Sequence, residues 1–257
     1  MNFKNSNTKR ISIGIIGFGA FGKLIARHIA GHFDVFAYDP SPSLNDEAVS
    51  LGTTLTSLAT AACCDVVVVS TPVSCFEEIV TSIASFCRPG SLVIDVGSLK
   101  DKPSEIMDRI LPSHVNIVAT HPLFGPQSAR NGIKGLKIAI CPIRGNSHRR
   151  LAAFLRKQLG LHVIFTTPQE HDREVATVQG LTHLIAKVLL DMGPMPTRMT
   201  TRSFDLLVEA IGMVQHDAPE VFEAIEKSNP YAPEVRRRFF ELATDLKLEL
   251  ELENTAP

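Results

Sequence analysis

The sequence predicts an α/β fold, a doubly wound and mostly parallel sheet followed by a segment made of helices alone. Three observations carry this. Between residues 11 and 165, short runs rich in Val and Ile alternate with stretches of helical period, the pattern of successive strand–helix–strand units. The first such run leads through a glycine-rich turn straight into a helical stretch. Past Glu170 the strand signal stops and only helical periodicity continues. The predicted division is residues 1–168 and 169–257, the first a Rossmann-type sheet domain and the second all helical.

The first strand, residues 11–16, ends in Gly17-Phe18-Gly19-Ala20-Phe21-Gly22, with a helix over 23–31, a second strand near 34–38 and Asp39 closing it. This is G-x-G-x-x-G between strand and helix, with an acid 22 residues after its first glycine. Gly17 permits the tight turn, Gly19 lets a pyrophosphate approach the backbone, and Gly22 lets helix and strand pack closely. The pyrophosphate then rests on the helix N-terminus, against Ala20 and Phe21. Asp39 ends its strand where a carboxylate takes ribose hydroxyls and repels a 2′-phosphate. No arginine follows in Pro40-Ser41-Pro42-Ser43, so NAD is the expected cofactor, with NADP the alternative.

Residues 65–70 form the next strand, and Ser70, Thr71 and Pro72 stand at its carboxyl end, where the cofactor passes. A helix over 76–86 and a strand over 92–96 lead into Gly97-Ser98-Leu99-Lys100, and a helix near 104–110 precedes a strand over 115–119. Strands at 136–141 and 162–165 flank a basic amphipathic helix over 147–159.

The stretch Thr120-His121-Pro122-Leu123-Phe124-Gly125-Pro126-Gln127-Ser128 follows the 115–119 strand. Pro122 forces its predecessor out of helical geometry, which sets His121 on an extended corner after the strand. Loops after successive strands of such a sheet line one crevice, so Ser98 and His121 are both expected there. A serine hydroxyl near an imidazole can fix its tautomer. Ser98 fits equally well as a helix cap, and Lys100 reads as a solvated lysine or as a phosphate or carboxylate partner.

In the last third, a long helix over 170–192 ends at Gly193-Pro194-Met195-Pro196. Gln179 and His183 lie four apart on it, hence on one face. They either close over a ligand or satisfy each other in a helix interface. Helices follow over 200–215, from Asp217-Ala218-Pro219-Glu220, and over 233 to about 252, the last carrying Arg236-Arg237-Arg238 and a charged tail. Their wide apolar stripes, with little chain left to cover them, predict a homodimer.

A net charge of −1 gives no electrostatic case for nucleic acid or an acidic membrane surface. No apolar run reaches 18 residues, so no transmembrane helix is expected. Residues 1–10 are polar, so no secretory signal is expected either. Five cysteines without a C-x-x-C pair read as buried, reduced thiols of a cytoplasmic protein, with no metal site.

Taken together, these motifs resemble one family, the prephenate/arogenate dehydrogenases of tyrosine biosynthesis. The resemblance rests on the Gly17 fingerprint, Asp95-Val96-Gly97-Ser98-Leu99-Lys100, the Thr120–Ser128 stretch, and Gln179-Gly180-Leu181-Thr182-His183. It spans residues 11 to 183, and the helical remainder fits the family's dimerisation domain. It implies oxidative decarboxylation of a cyclohexadienyl acid, with His121 the catalytic histidine and Ser98 its partner. It also implies that Gln127, Ser128, Gln179 and His183 line the substrate pocket. His121 must then be unprotonated, as an unperturbed histidine is above pH ~6.5.

One departure bears on the substrate. The arginine that holds the side-chain carboxylate in prephenate-specific bacterial members falls on Met213 here, and Asp217 falls where plant arogenate enzymes carry an acid. That implies an arogenate dehydrogenase, with Asp217 facing the substrate ammonium. Prephenate dehydrogenase and a non-catalytic NAD-binding regulator are the alternatives. Asp217 also fits as an N-cap of the helix at Ala218-Pro219.

Overall fold

The structure is a computed structural model that describes residues 10–253. The polar opening segment, residues 1–9, on which the absence of a secretory signal was expected, lies outside the described residues, as do residues 254–257 of the charged tail. Among the described residues two compact units emerge, one of residues 10–97 and 102–166, the other of Ser98–Asp101 and residues 167–253.

The first unit holds an eight-stranded sheet in the order β3-β2-β1-β4-β5-β6-β7-β8. Its strands are β1 (Ser12–Ile16), β2 (Asp34–Tyr38), β3 (Thr53–Leu55), β4 (Val66–Val69), β5 (Leu92–Asp95), β6 (Asn116–Pro122), β7 (Lys137–Arg144) and β8 (His162–Phe165). Among the described residues the pairings are parallel except β6 with β7, which is antiparallel. The chain leaves β1 toward β2 on one side, and β4 returns on its other side. That reversal opens a crevice at the carboxyl ends of β1 and β4. Every residue of β1 is buried, as a strand flanked by two others requires, and SIGII accordingly sets only the small Ser12 and Gly14 among its isoleucines rather than alternating with charged residues.

Helices α1 (Ala20–Ile29), α2 (Asn45–Ser50), α3 (Leu58–Ala62), α4 (Phe76–Ala84), α5 (Asp101–Ile110) and α6 (His148–Lys157) connect the strands. Val67, Val69, Val93, Ile117 and Ala119 bury one face of the sheet with Val80 and Ile83 of α4 and Ile106 and Met107 of α5. Each such side chain contributes roughly 1.5–3 kcal/mol when fully buried. On the other face, Ile94, Val118, Ile138 and Ile140 pack with Leu24 of α1 and Leu155 of α6. An apolar hollow of about 450 Å³ remains there, lined by α1, α6 and that sheet face.

The second unit is helical: α7 (Pro168–Asp191), α8 (Arg202–Val214), α9 (Pro219–Glu223), a π-helical turn (Ala224–Ser228) and α10 (Ala232–Glu253). A capping box starts α7. The Thr167 side chain accepts from the Glu170 N–H, and the Glu170 carboxylate accepts from the Thr167 N–H, satisfying two donors that a helix start leaves open.

Several expectations are corrected. Residues 53–55, with α2 and α3, were not foreseen: three strand residues and helices of six and five are too short for periodicity to register. His121 and Pro122 are not on a corner after the strand but inside β6, opposite Ala139 and Ile138 of β7. Lys100 is not solvated, since it is fully buried. Cys64, Cys87 and Cys141 are buried and in no disulfide, but Cys63 and Cys75 are only half-buried. Finally, Ser98–Asp101 belongs with the helical unit rather than with the sheet it follows. No helix among the described residues is long and apolar enough to cross a membrane.

Candidate active site

The glycine-rich turn after β1 meets each demand that its sequence makes. Gly17 has φ 94°, and a Cβ there would stand 2.4 Å from the Ser70 carbonyl oxygen. A Cβ on Gly22 would stand 2.3 Å from the Gly17 carbonyl oxygen. Neither backbone can yield, so both positions require glycine. Gly19 differs: a Cβ there would meet nothing within 4 Å, so its surroundings are open. Gly19 is also the N-cap of α1 and offers no side-chain cap, which leaves the first N–H groups of Ala20, Phe21 and Gly22 for an anion. A hydroxyl donor stands nearby, for Thr71 Oγ1 is buried without a hydrogen-bond partner and the Thr71 methyl abuts the Gly17 position. Ser70 is half-buried at the end of β4 and Pro72 is exposed. These residues fit a dinucleotide.

Asp39 has a structural task that the fingerprint does not reveal. Its Oδ2 accepts the Phe18 N–H at 2.9 Å and its Oδ1 accepts the Ser41 N–H at 3.0 Å. It thus ties the glycine turn to the end of β2. A carboxylate has about four acceptor directions, so each oxygen keeps capacity for a ribose hydroxyl.

His121 is buried near the carboxyl end of β6, 4% exposed. Its position is set by a residue that sequence reasoning passed over as a site, Asp95. This carboxylate is 1% exposed. Its Oδ1 accepts the Thr120 N–H at 3.3 Å, and its Oδ2 accepts the Gly97 N–H at 3.1 Å. The Thr120 hydroxyl donates to the Asp95 carbonyl at 2.7 Å. One acid therefore fixes both the residue before His121 and the turn that leads to Ser98. The available signal was an Asp closing the otherwise apolar strand LVID. Gln127 and Ser128 stand in the loop between β6 and β7, the first exposed and the second half-buried. The apolar hollow takes Thr120 and Pro122 from β6 but not His121, because side chains alternate across a strand. The hollow is therefore not the site of the histidine.

In the helical unit, His183 on α7 is buried, and its Nε2 lies 3.8 Å from Asp217 Oδ2. That is too long for a hydrogen bond. Burial lowers the His183 pKa, with Asp217 and Glu226 pulling it back up. Burial raises the Asp217 pKa, with His183 pulling it back down. Each residue is shifted toward its neutral form although an opposite charge would stabilise it, so desolvation outweighs their mutual attraction. Asp217 is not the cap considered for it, since the N-cap of α9 is Ala218 and no side chain caps that helix. Nor do Gln179 and His183 satisfy each other through the amide oxygen, because Gln179 Oε1 is buried without a partner. Glu226, a buried carboxylate not foreseen, pairs with Arg236 at 2.8 Å and holds its Oε1 close to Gly180. No group of three potential metal ligands occurs among the described residues.

The crevice, the open Gly19 turn and the uncapped α1 define a Rossmann-type dinucleotide-binding fold. The family is equally definite. The model described as prephenate dehydrogenase, nucleotide-binding domain, matches residues 22–174, more than half of the chain, and the chain belongs to that family. Arogenate dehydrogenase 1, chloroplastic, of Arabidopsis thaliana is 29% identical over 255 residues, covering 94% of this chain. Arogenate dehydrogenase 2, chloroplastic, of the same plant is 27% identical over 251 residues, covering 93%. The chain spans 39% of the first relative's length and 70% of the second's. Among solved structures, prephenate dehydrogenase from A. aeolicus, in complex with hydroxyphenyl propionate and NAD+, matches at TM-score 0.75 and 23% identity, covering 97% of this chain and 93% of that one. Synechocystis arogenate dehydrogenase matches at TM-score 0.69 and 16% identity, covering 95% and 94%. At such identities the two structures speak for the fold alone.

Proposed function

We propose that this chain is an arogenate dehydrogenase that uses NAD, with prephenate, which the family's description names, as the second reading of the substrate. The observation that carries the choice is Asp217. It is partly buried, faces His183 without a hydrogen bond, caps no helix, and is held toward its neutral form by burial. A carboxylate so placed gains from a ligand cation. Arogenate carries an ammonium where prephenate has a keto oxygen, whereas both carry the side-chain carboxylate, to which Met213, exposed on α8, offers no charge. The two plant relatives, both named arogenate dehydrogenases, support the same choice.

NAD is supported by the turn at Gly17, Gly19 and Gly22, by Asp39, and by the NAD+ bound in the A. aeolicus relative. When bound, the nicotinamide supplies the hydride acceptor for the ring carbon that bears the hydroxyl. The protein positions the partners and manages the hydroxyl proton. His121 accepts the hydroxyl's hydrogen bond, then its proton as the carbonyl develops. Ser98 orients that imidazole. Loss of the ring carboxylate as CO2 makes the ring aromatic and drives the step. Gln179, Gln127 and Ser128 are assigned to the substrate, Gln179 through its unpartnered amide oxygen.

A homodimer is supported by exposed apolar side chains on the helical unit, among them Leu206 and Leu207 of α8 and Phe240, Leu242 and Leu246 of α10. An isologous pairing would cover them. Equilibrium sedimentation tests this, and a monomer at micromolar concentration refutes it.

The decisive assay is two by two, arogenate or prephenate with NAD or NADP, on the unmodified protein and on His121→Asn. Turnover of arogenate with NAD, lost in the variant, is the expected result. Nucleotide binding without turnover of either acid would mark a non-catalytic regulator instead.

A further inference from the structure

We infer that Asp172 is a positioning residue for the reaction, acting through the segment that carries Ser98. The inference rests on the role proposed above for Ser98. Asp172 stands in the first turns of α7 and is 1% exposed. Its Oδ1 accepts the Lys100 N–H at 2.8 Å and its Oδ2 accepts the Asp101 N–H at 2.9 Å. Two consecutive backbone donors are thus gripped by the two oxygens of one carboxylate, an arrangement that fixes direction as well as distance. His171 Nδ1 lies 2.7 Å from the same Oδ1, which sets the rotamer of the carboxylate. The Asp172 carbonyl in turn accepts from the Asn229 amide at 2.8 Å, so the helix is anchored at this residue from its other side.

What is gripped is short and buried. Leu99 is 3% exposed and Lys100 is fully buried, and Ser98 is the next residue back along the chain. Gln169 adds a hydrogen bond to the Asp101 carboxylate from the exposed edge. The same helix carries Gln179 and His183, seven and eleven residues beyond Asp172. Positions i, i+7 and i+11 fall on one face of an α-helix. One face of α7 therefore holds both the clamp on the Ser98 segment and the two residues, Gln179 and His183, for which the family resemblance implies a place in the substrate pocket. This accounts for why Ser98–Asp101 belongs with the helical unit although the chain reaches it directly from β5. The segment just after Ser98 is thus held by α7, while Asp95 of β5 holds the Gly97 turn just before it.

Asp172→Asn keeps one acceptor oxygen and turns an NH2 toward the other backbone N–H, so one grip is lost and the segment loosens. The test is a double-mutant cycle with Ser98→Ala on the full chain, reading kcat and KM for arogenate and the Kd for NAD. The expected result is a loss of about tenfold in kcat for each single variant, with the double variant no worse than either. The NAD Kd stays unchanged. If Ser98→Ala alone leaves turnover intact, it is the reading of Ser98 that fails. If both single variants are impaired and the double is impaired by about the product, roughly a hundredfold, Asp172 acts independently of Ser98 and the inference is overturned. Should Asp172→Asn fail to fold, Gln169→Ala loosens the same segment from the exposed side, and the cycle is run with it. Independence from Ser98→Ala there overturns the inference in the same way. A residue that only supports the fold would lower thermal stability without this non-additivity.

Discussion

Replacing Asp217 with Asn removes one charge and keeps the shape, which makes it the sharpest test of the substrate. The Asp217 side chain is 26% exposed. Two unit charges about 4 Å apart interact by roughly 4 kcal/mol at an effective dielectric of about 20, which is a ceiling. Partial exposure screens the contact and the ammonium must shed water, so the lower end of the charge-assisted range, about 1.5 kcal/mol, is the better figure. That corresponds to about tenfold in kcat/KM for arogenate. Prephenate, with no ammonium, should be unchanged or improved, so the ratio of the two moves at least tenfold. Because burial raises the Asp217 pKa, its charge is lost on acidification at a pH above the ordinary carboxylate range. Arogenate preference in the unmodified protein should fall through that window, and the Asn variant should show no such fall. Stability discriminates further. A carboxyl whose folded pKa is raised stabilises the fold in its protonated form, and this contribution is lost as pH rises through the folded value. At neutral pH the Asn variant should therefore melt no lower than the parent. Initial rates with both acids, followed by reduced nicotinamide absorbance, together with a melting curve, decide it. An unchanged ratio with a lowered melting temperature would refute the reasoning.

Three further outcomes follow from the geometry. Asp39→Ser with Pro40→Arg should shift preference from NAD toward NADP in competing-cofactor kinetics. It should also weaken NAD, because the grips on Phe18 and Ser41 are worth about 0.5–1.5 kcal/mol each; a parent that already prefers NADP contradicts the reading. His121→Asn should bind NAD as the parent does in calorimetry and lose roughly 10²–10⁴ in turnover, whereas near-normal turnover would make the histidine structural. Gly17→Ala places a Cβ 2.4 Å from a carbonyl oxygen at φ 94° and should cost about 1–3 kcal/mol of stability, seen as a lower melting temperature with weaker nucleotide binding, while Gly19→Ala should fold normally.

The parts of this molecule that were legible in the sequence are those where one residue type answers one backbone demand. Gly17 and Gly22 are glycine because a carbonyl oxygen lies where a Cβ would go, and that demand shows in spacing alone. The strands of the central sheet are buried on both faces, so their Val and Ile runs declare themselves. His121 was legible as a residue but not as a strand residue. Pro122 argues for a chain break when only its own backbone is considered, yet β6 ends there and needs no further N–H from it. Short β3, α2 and α3 left no periodic trace. What stayed hidden throughout are acids whose work is done on backbone donors far away in sequence. Asp95 serves Thr120 across 25 residues, Asp39 serves Phe18 across 21, and Asp172 serves Lys100 and Asp101 across 72 and 71. Nothing in a sequence marks such an acid, because its partners are N–H groups that every residue but proline possesses. The only local clue is burial against expectation, an Asp within or beside a hydrophobic stretch. Charge at these positions is costly to bury, so each one signals a turn whose placement matters more than the stability an apolar residue would give. In this fold the turns so held are the glycine-rich loop, the approach to His121 and the segment of Ser98, which are the three places where the proposed chemistry needs fixed geometry.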